Sequence, residues 1–574
     1  MGGTELDVVR HPQTRPGPPR RALGRVLALR GRLQSVQNAR ADHVLLVWAA
    51  VAIAFSAAAC AALIPRSFAA EPHGWVSSHM ALMARSFVEQ GVVKLRGVPI
   101  QNNPPLGNYP DGYIHWPPLF TIVLSFVFRI FGESETVAHA FAVVVRFATV
   151  FALYELVKLA FGRSAALGSA FGLLVLPISA KYAMLLLPAN AAVPAGLFAV
   201  YAFLRDRDGL HAETKWRVLG AIAVVVGVLF SWEAALFPAA LLLACIIQRS
   251  LQPALLATMW MLAAALVAAA VLTFYLVSSP YLASNLAQSV RYRISGTLYP
   301  SAGSLHELAD EADKRDFHPG IREWTVVATQ RMETLGPGAI ACTLLALTWS
   351  GKRRYSGDGR RGLVLWTLLL VPLMWFAVFR NHAYIHEYQM LLFAPLSGTC
   401  VGVALARTLE LLDEHAAITS LRVLRPGAAV IFPLVLAAPV AWETARAFYG
   451  KANPQSEWIL NYARDIHENT PPTAVVASPL LTMVPVYYSR RHTIRGVLND
   501  QAVEAVRRQA SVEFPGAPLY LALPPLAQEQ FACSRARYPV VRATASMTLL
   551  AISEGRQVSS ESPRRSSCSE ENHS

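Results

Sequence analysis

The chain has 574 residues, 54% of them hydrophobic and only 15% charged, with a mean hydropathy of +0.37. That balance is too apolar for a soluble multidomain enzyme of this length and marks a polytopic membrane protein. The net charge of +14 is concentrated in the N-terminal tail and in short loops between apolar runs, so it reads as topology and lipid-headgroup charge and excludes a nucleic-acid face.

In chain order, residues 1–43 carry arginines from Arg10 to Arg40, prolines and almost no apolar pattern, which predicts a disordered tail kept on the cytoplasmic side. The tail is too long and too arginine-rich for the n-region of a cleaved signal peptide. Residues 44–64 hold no charge and are long enough to cross a bilayer, which needs about 20 apolar residues. The polar, aromatic, proline-studded stretch from Glu71 to Leu119 then faces outward. Loops held by a rigid scaffold are where binding and catalytic groups concentrate, which makes this stretch the expected place for chemistry.

Further spans are expected near 137–160, 164–181, 184–204, 217–230, 233–248, 254–278, 335–350, 362–379, 389–408 and 426–445. The basic loops Arg205–Arg217 and Lys352–Arg361, with Arg422 and Arg425, belong on the cytoplasmic side. That parity holds only if residues 117–131 do not cross. The segment is short, proline-led and contains Arg129, and it reads as a helix in the outer interface. The expected architecture is therefore a mainly α polytopic bundle of about eleven spans, with an outer loop at 65–117 and another at 279–334. Residues 447–558 change composition and alternate helical patterns (Trp458–His467, Asp500–Gln509) with strand-like runs (Ala474–Ser478, Leu519–Leu523, Ser546–Ile552). They predict a small extracytoplasmic α/β domain, followed by a disordered tail at 559–574. Cys60, Cys245, Cys342 and Cys400 lie in apolar runs as small core residues, which leaves Cys533 and Cys568 as a pair able to form a disulfide. There is no internal repeat and no dinucleotide or P-loop glycine pattern, which argues against a nucleotide-driven pump.

In the first outer loop, Trp75–Gln90 predicts an amphipathic helix whose stripe of Trp75, Met80, Met83 and Phe87 rests on the membrane surface. His79 borders that stripe, where a lipid head and an aqueous substrate would meet. Arg85 is spaced for an ion pair with Glu89 and equally suits a phosphate. Asn102, Asn103, Pro104 and Pro105 form a rigid turn, after which Asp111, Tyr113, His115 and Trp116 return to the bilayer. Farther on, Arg380-Asn381-His382-Ala383-Tyr384-Ile385-His386-Glu387-Tyr388 packs polar groups against the outer end of a span, where such groups are costly and usually functional. His382 and His386 share a helix face. With Glu387 they suit either a divalent metal or, on the better ligand count, a phosphate or sugar bound by Arg380, His382 and His386. Arg291 and Arg293 offer either a clamp on a lipid phosphate or ordinary headgroup contacts. Glu233 follows Trp232 in a tight hairpin, with Lys181 as a candidate partner in a structural ion pair.

The run His79-Met80-Ala81-Leu82-Met83-Ala84-Arg85-Ser86-Phe87 with Gly91, then His115-Trp116-Pro117-Pro118-Leu119, Phe131-Gly132, Arg146 and Leu153-Tyr154, resembles the GT-C membrane glycosyltransferases. The likeness is to the bacterial branch related to protein O-mannosyltransferases and the lipid A aminoarabinose transferases, and it is best over residues 40–210. It implies transfer of a sugar from a polyprenyl-phosphate carrier to a glycan, lipid or protein acceptor on the outer face, usually with inversion. Such a reaction needs a carboxylate beside the attacking hydroxyl and fixed positive charge at the leaving phosphate. Relatives usually carry the acid just before the Ala-Arg pair, where this chain has Ser77, Ser78 and His79. The candidate base is then Glu71, followed by Asp111 and by His79 acting directly. The substrate-binding candidates are Arg85, His115, Arg291, Arg293, Arg380, His382, His386, Glu387 and Tyr388. No metal is required, although a divalent ion is compatible. The rival readings are a non-catalytic transporter or flippase of a lipid-linked saccharide and a metal-dependent phospholipid-head transferase.

Overall fold

The structure, a computed structural model, describes residues 20–71, 73–104, 112–208, 214–278, 359–414 and 454–552, with scattered residues between 287 and 344 and at 435 and 438. Asp111, most of the expected spans at 335–350 and 426–445, Cys568, residues 1–19 and the C-terminal tail fall outside the described residues, whereas residues 20–43, expected in a disordered tail, are helical.

Among the described residues, five helices are long and apolar enough to cross a membrane: Asp42–Leu63, Glu135–Phe161, Pro253–Tyr275, Gly359–Val378 and Glu387–Leu411. The first is the C-terminal part of α1 (Arg20–Leu63), and the second is α4 (Glu135–Phe161). Between them lie α2 (Gly74–Gln90) and α3 (Leu119–Phe131). With 13 residues, α3 is about 20 Å long, too short for a hydrocarbon core of about 30 Å. It buries Phe120, Leu124 and Phe128 and exposes Phe126, Ile130 and Phe131 on its other side. The run expected as one span over 164–181 is broken into α5 (Arg163–Leu174) and α6 (Pro177–Lys181). Pro177 donates no backbone hydrogen bond and holds Leu176 extended, so the helix stops and restarts. The bundle continues through α7 (Pro188–Asp208), α8 (Thr214–Phe230), α9 (Leu236–Ile247), α10 (Leu251–Ser278), α11 (Gly359–Val378), the short α12 (Arg380–Ile385) and α13 (Ala394–Glu414).

Close helix contact comes from small residues. A Cβ on Gly168 of α5 would stand 2.8 Å from the Cα of Gly402 on α13, and one on Gly402 would stand 2.3 Å from the Ala165 carbonyl oxygen. The two backbones touch there, as small residues four apart permit in membrane bundles.

Polar contacts separate the two ends of the bundle. At one end, Ser164 donates to Asp42 at 2.5 Å, Arg361 donates to the Ala160 carbonyl at 3.3 Å and Arg217 pairs with Asp206 at 2.9 Å. At the other, the His139 imidazole binds the Ile64 carbonyl at 2.8 Å, Lys181 pairs with Glu387 at 2.9 Å and the Trp232 indole donates to the His115 carbonyl at 2.9 Å. His139 and Ala160 both lie on α4, about 30 Å apart at 1.5 Å per residue.

Residues 454–552 form a five-stranded sheet of order β2-β1-β3-β5-β4, with β1 (Val475–Ala477), β2 (His492–Ile494), β3 (Leu519–Leu523), β4 (Val540–Ala543) and β5 (Thr548–Ala551). Strands β2, β1 and β3 are parallel, and β5 and β4 return antiparallel. Residues alternate between two cores. Val475, Ala477, Leu521 and Leu523 pack with Val503 and Val506 of α16 (Asp500–Glu513), while Val476 and Ala522 pack with Tyr462 and Ile466 of α14 (Pro454–Asn469). The short α15 (Val484–Ser489) precedes β2, and α17 (Ala532–Arg537) precedes β4. Cys533 of α17 is disulfide-bonded.

The expectation that α2 lies on the membrane surface is not met. Every residue from Val76 to Phe87 is buried, Met80 and Met83 included. A single apolar stripe is too narrow a signal here, because α3 covers one side of α2 and α15 covers another. Gly74 starts the helix where a Cβ would stand 1.6 Å from the Phe68 carbonyl oxygen, after His73 in the left-handed region at φ 59°.

Candidate active site

The polar groups of the first loop divide into two sets. The first set is consumed by protein partners. Glu71 receives the His139 imidazole on one oxygen and the Ser77 hydroxyl, at 2.7 Å, on the other. Both ring nitrogens of His139 thus face acceptors, and the pair ties the loop to the start of α4. Arg85 donates to Glu133 at 2.5 and 2.8 Å, to the Tyr487 carbonyl at 2.9 Å and to Asn103 at 3.3 Å, and it stacks over the Tyr487 ring at 4.2 Å. Burial alone would lower the Arg85 pKa, but the Glu133 hydrogen bond and charge reverse that and raise it. The ion pair suggested by spacing, Arg85 with Glu89, is replaced by one with Glu133.

Next to it, Asn102 treats the sheet edge as a partner strand would. Its amide oxygen accepts from the Thr493 N–H at 2.9 Å and its NH2 donates to the Thr493 carbonyl at 3.0 Å. Asn103 donates to the carbonyls of Val486 and Arg491 at 2.7 and 3.1 Å. Tyr488 accepts from the Phe68 N–H at 3.0 Å and donates to Glu135 at 2.8 Å. The edge of β2 is thereby covered, and residues 486–493 are locked under the loop.

The second set is buried with polar atoms left over. The His79 ring meets Tyr113 edge-on at 4.4 Å, and Tyr113 lies 4.4 Å from His115 and 5.8 Å from Trp116. Arg293 stands over Trp116 at 5.5 Å. From the opposite side, Tyr388 stacks on His386 at 5.0 Å and meets His73 edge-on at 5.3 Å, and His386 lies 5.9 Å from Trp75. Tyr388 is in the electrostatic field of Tyr113, Arg293 and Glu233. Residues far apart in sequence, from the post-α1 loop and from 380–389, thus share one place at the end of the bundle that holds Lys181 and Trp232. Among the described residues, the buried polar atoms there without a hydrogen-bond partner include His79 Nε2, Glu233 Oε1, the Tyr388 hydroxyl and Gln389 Oε1. Desolvated polar atoms of this kind each cost about 1–3 kcal/mol, and a cluster of them is what a polar ligand would repay.

The electrostatics assign the histidines. Burial pushes the His79 pKa well below the ordinary histidine value, and the charge of Arg495 and the proximity of His115 add to it. His382 is lowered well below that value by burial, then by Arg293, His386 and His115. Both are neutral imidazoles at pH 7, and the Gln389 amide donates to His382 Nε2 at 2.9 Å. Fixed positive charge at this place therefore comes from arginine, with Arg293 half-buried inside the cluster. Arg380 is exposed and donates to the Ile294 carbonyl at 3.3 Å, and Arg291 is exposed. Glu387 is turned to Lys181, with both oxygens at 2.9 Å, so Lys181 does not pair with Glu233 as spacing suggested. The His382 and His386 rings meet edge-on at 4.5 Å, as their spacing suggested, while Glu387 is turned to Lys181. Among the described residues no group of three or more His, Cys, Asp or Glu side chains is arranged to hold a metal. Sequence reasoning gave no role to Gln389 or to Arg495, whose position beside His79 follows from the docking of the sheet. It also underweighted Tyr113 and Glu233.

A family profile described as dolichyl-phosphate-mannose-protein mannosyltransferase matches residues 115–278. ArnT from Cupriavidus metallidurans, solved with bound undecaprenyl phosphate, is 13% identical, with 87% of this chain and 97% of that chain covered and a TM-score of 0.56. The chain therefore shares the fold of that protein over most of its length. The archaeal oligosaccharyltransferase AglB from Archaeoglobus fulgidus, solved with an inhibitory peptide and a dolichol-phosphate, is likewise similar in fold. There the identity is 13%, the coverage 84% of this chain and 69% of that chain, and the TM-score 0.52. No curated protein matches the sequence.

Proposed function

We propose that this chain is a multi-pass membrane glycosyltransferase that moves a hexosyl or pentosyl unit, with inversion, from a polyprenyl-phosphate donor to a glycan, lipid or protein acceptor on the outer face of the membrane. The observation that carries it is the cluster of unmatched buried polar atoms around Arg293, built jointly by the first loop and residues 380–389. The lipids bound in the similar ArnT and AglB structures support a polyprenyl-phosphate donor. In this reading Arg293, Tyr388 and His115 receive the phosphate and sugar, helped by His79, His382 and His386 as neutral donors and acceptors. Arg291 and Arg380 attract the anionic head from the rim. Arg85, Glu71 and Glu387, engaged by protein partners, hold the walls.

The eleven-span topology, with the N-terminus in the cytoplasm and residues 447–558 outside, belongs to the same proposal. Its support is the sorting of contacts. Asp42 lies at the same bundle end as Arg361 and Arg217, from basic segments, while residues 486–493 pack on the outer loop.

The test is to incubate the purified full-length protein in detergent with undecaprenyl-phosphate-linked hexoses and pentoses and measure released undecaprenyl phosphate. Release dependent on the protein is expected. A flippase would release none, and that outcome would overturn the reading.

A further inference from the structure

Attack of a hydroxyl on an anomeric carbon calls for a carboxylate, and at this end of the bundle most described carboxylates are already matched to donors. Glu71 has His139 and Ser77, Glu133 has Arg85, Glu135 has Tyr488 and Glu387 has Lys181. Glu233 is different. It sits at the tip of the α8–α9 hairpin, in a 3-10 turn spanning Trp232–Ala235, and is 1% exposed. One oxygen accepts from the Ser231 hydroxyl and the other, Oε1, has no partner.

The hairpin aims this group. Ser231 is extended and ends α8, and the Trp232 indole pins the tip to the His115 carbonyl at 2.9 Å. The Trp116 side chain approaches the carboxylate as a hydrogen-bond donor, Arg293 stands beside it and Tyr388 lies within its field, which leaves Oε1 as the oxygen without a partner. A carboxylate oxygen kept dry and unmatched next to an arginine is costly unless something binds there.

We propose that Glu233 is the general base of the transfer, accepting the proton of the acceptor hydroxyl on Oε1; this rests on the glycosyl-transfer reading above. As the acceptor oxygen's electron pair forms the new bond to the anomeric carbon, its proton moves to Glu233. The bond from the anomeric carbon to the phosphate oxygen breaks, and its electron pair stays on the lipid phosphate, where Arg293 stabilises the charge. The proton then leaves Glu233 for water. Ser231 holds the carboxylate in place and acts as a positioning residue.

The experiment compares wild type, Glu233→Gln and Ser231→Ala as full-length proteins in detergent. It measures release of undecaprenyl phosphate from undecaprenyl-phosphate-linked sugars across pH, and binding of undecaprenyl phosphate alone. Glu233→Gln should lower transfer by roughly 100-fold or more, the usual scale for a lost general base, and flatten the acidic limb of the pH profile. It should bind undecaprenyl phosphate within about threefold of wild type, since the base contributes little to ground-state binding. Ser231→Ala should displace the acidic limb, and it serves alone if Glu233→Gln does not fold. Transfer by Glu233→Gln within about threefold of wild type, or an unmoved acidic limb in Ser231→Ala, overturns the assignment while leaving the transferase reading intact. A wild-type protein that releases no lipid phosphate overturns the reading itself and the assignment with it.

Discussion

His79 and Arg85 share one helix and are both buried, yet their surroundings differ in kind. Around Arg85 every strong donor has an acceptor: Glu133, Asn103 and the Tyr487 carbonyl take the guanidinium, and the neighbouring asparagines complete the edge of β2. Around His79 the partners run short, and His79, Glu233, Tyr388 and Gln389 keep polar atoms that nothing in the described protein satisfies. A fully matched polar network rigidifies a fold, whereas an unmatched one lowers stability unless a ligand completes it. One helix therefore holds the C-terminal sheet with one end and faces the proposed substrate with the other.

The comparison breaks first at the matched side. Arg85→Ala removes the close cation from Glu133, leaving it only Arg490 at 3.6 Å among the described residues, and strips the Tyr487 carbonyl and Asn103 of a donor, so it should cost about 3 kcal/mol, read as a lower melting temperature of the purified protein. Asn102→Ala uncovers the N–H and carbonyl of Thr493 and should cost about 1–3 kcal/mol in the same assay.

The unmatched side predicts a pH effect. His79 and His382 have folded-state pKa values below the unfolded one, so the unfolded chain binds more protons once the pH falls beneath about 6.5. Stability should be level above neutral pH and decline as the pH falls below about 6.5, by up to about 1.4 kcal/mol per pH unit for each histidine. His79→Gln should flatten that decline in melts collected from pH 7.5 to 5, whereas Arg85→Ala should leave its slope unchanged. The smallest effect on stability is expected for Tyr388→Phe. Removing a hydroxyl that has no partner should change the melting temperature by less than the equivalent of about 0.5 kcal/mol while lowering transfer roughly tenfold.

Hydropathy and the order of the loop elements were enough to anticipate a helical membrane bundle, the shortness of α3, and two distant segments meeting on one side. The fate of individual charges was less legible. Nothing in the spacing of Arg85 and Glu89 shows that Glu133 will be nearer, because that depends on how α3 folds back over α2. Glu71 looked like a base because it is the acid nearest the Ala-Arg pair, but His139 enters from α4 to meet it. The strand His492–Ile494 was not evident, since it is three residues long, follows two arginines and gains one neighbour from an asparagine side chain. Glu233 was read as half of an ion pair because buried charges usually are paired. Only the geometry shows Lys181 committed to Glu387.

The central claim is that the ligand phosphate belongs to the unmatched cluster and not to the arginine network beside it. A cryo-EM structure of the full-length protein with undecaprenyl phosphate tests this most directly. The account predicts phosphate density within hydrogen-bonding distance of Arg293, facing Glu233 and Tyr388. Phosphate seated on Arg85, or on the bundle end that carries Asp42 and Arg361, would contradict it.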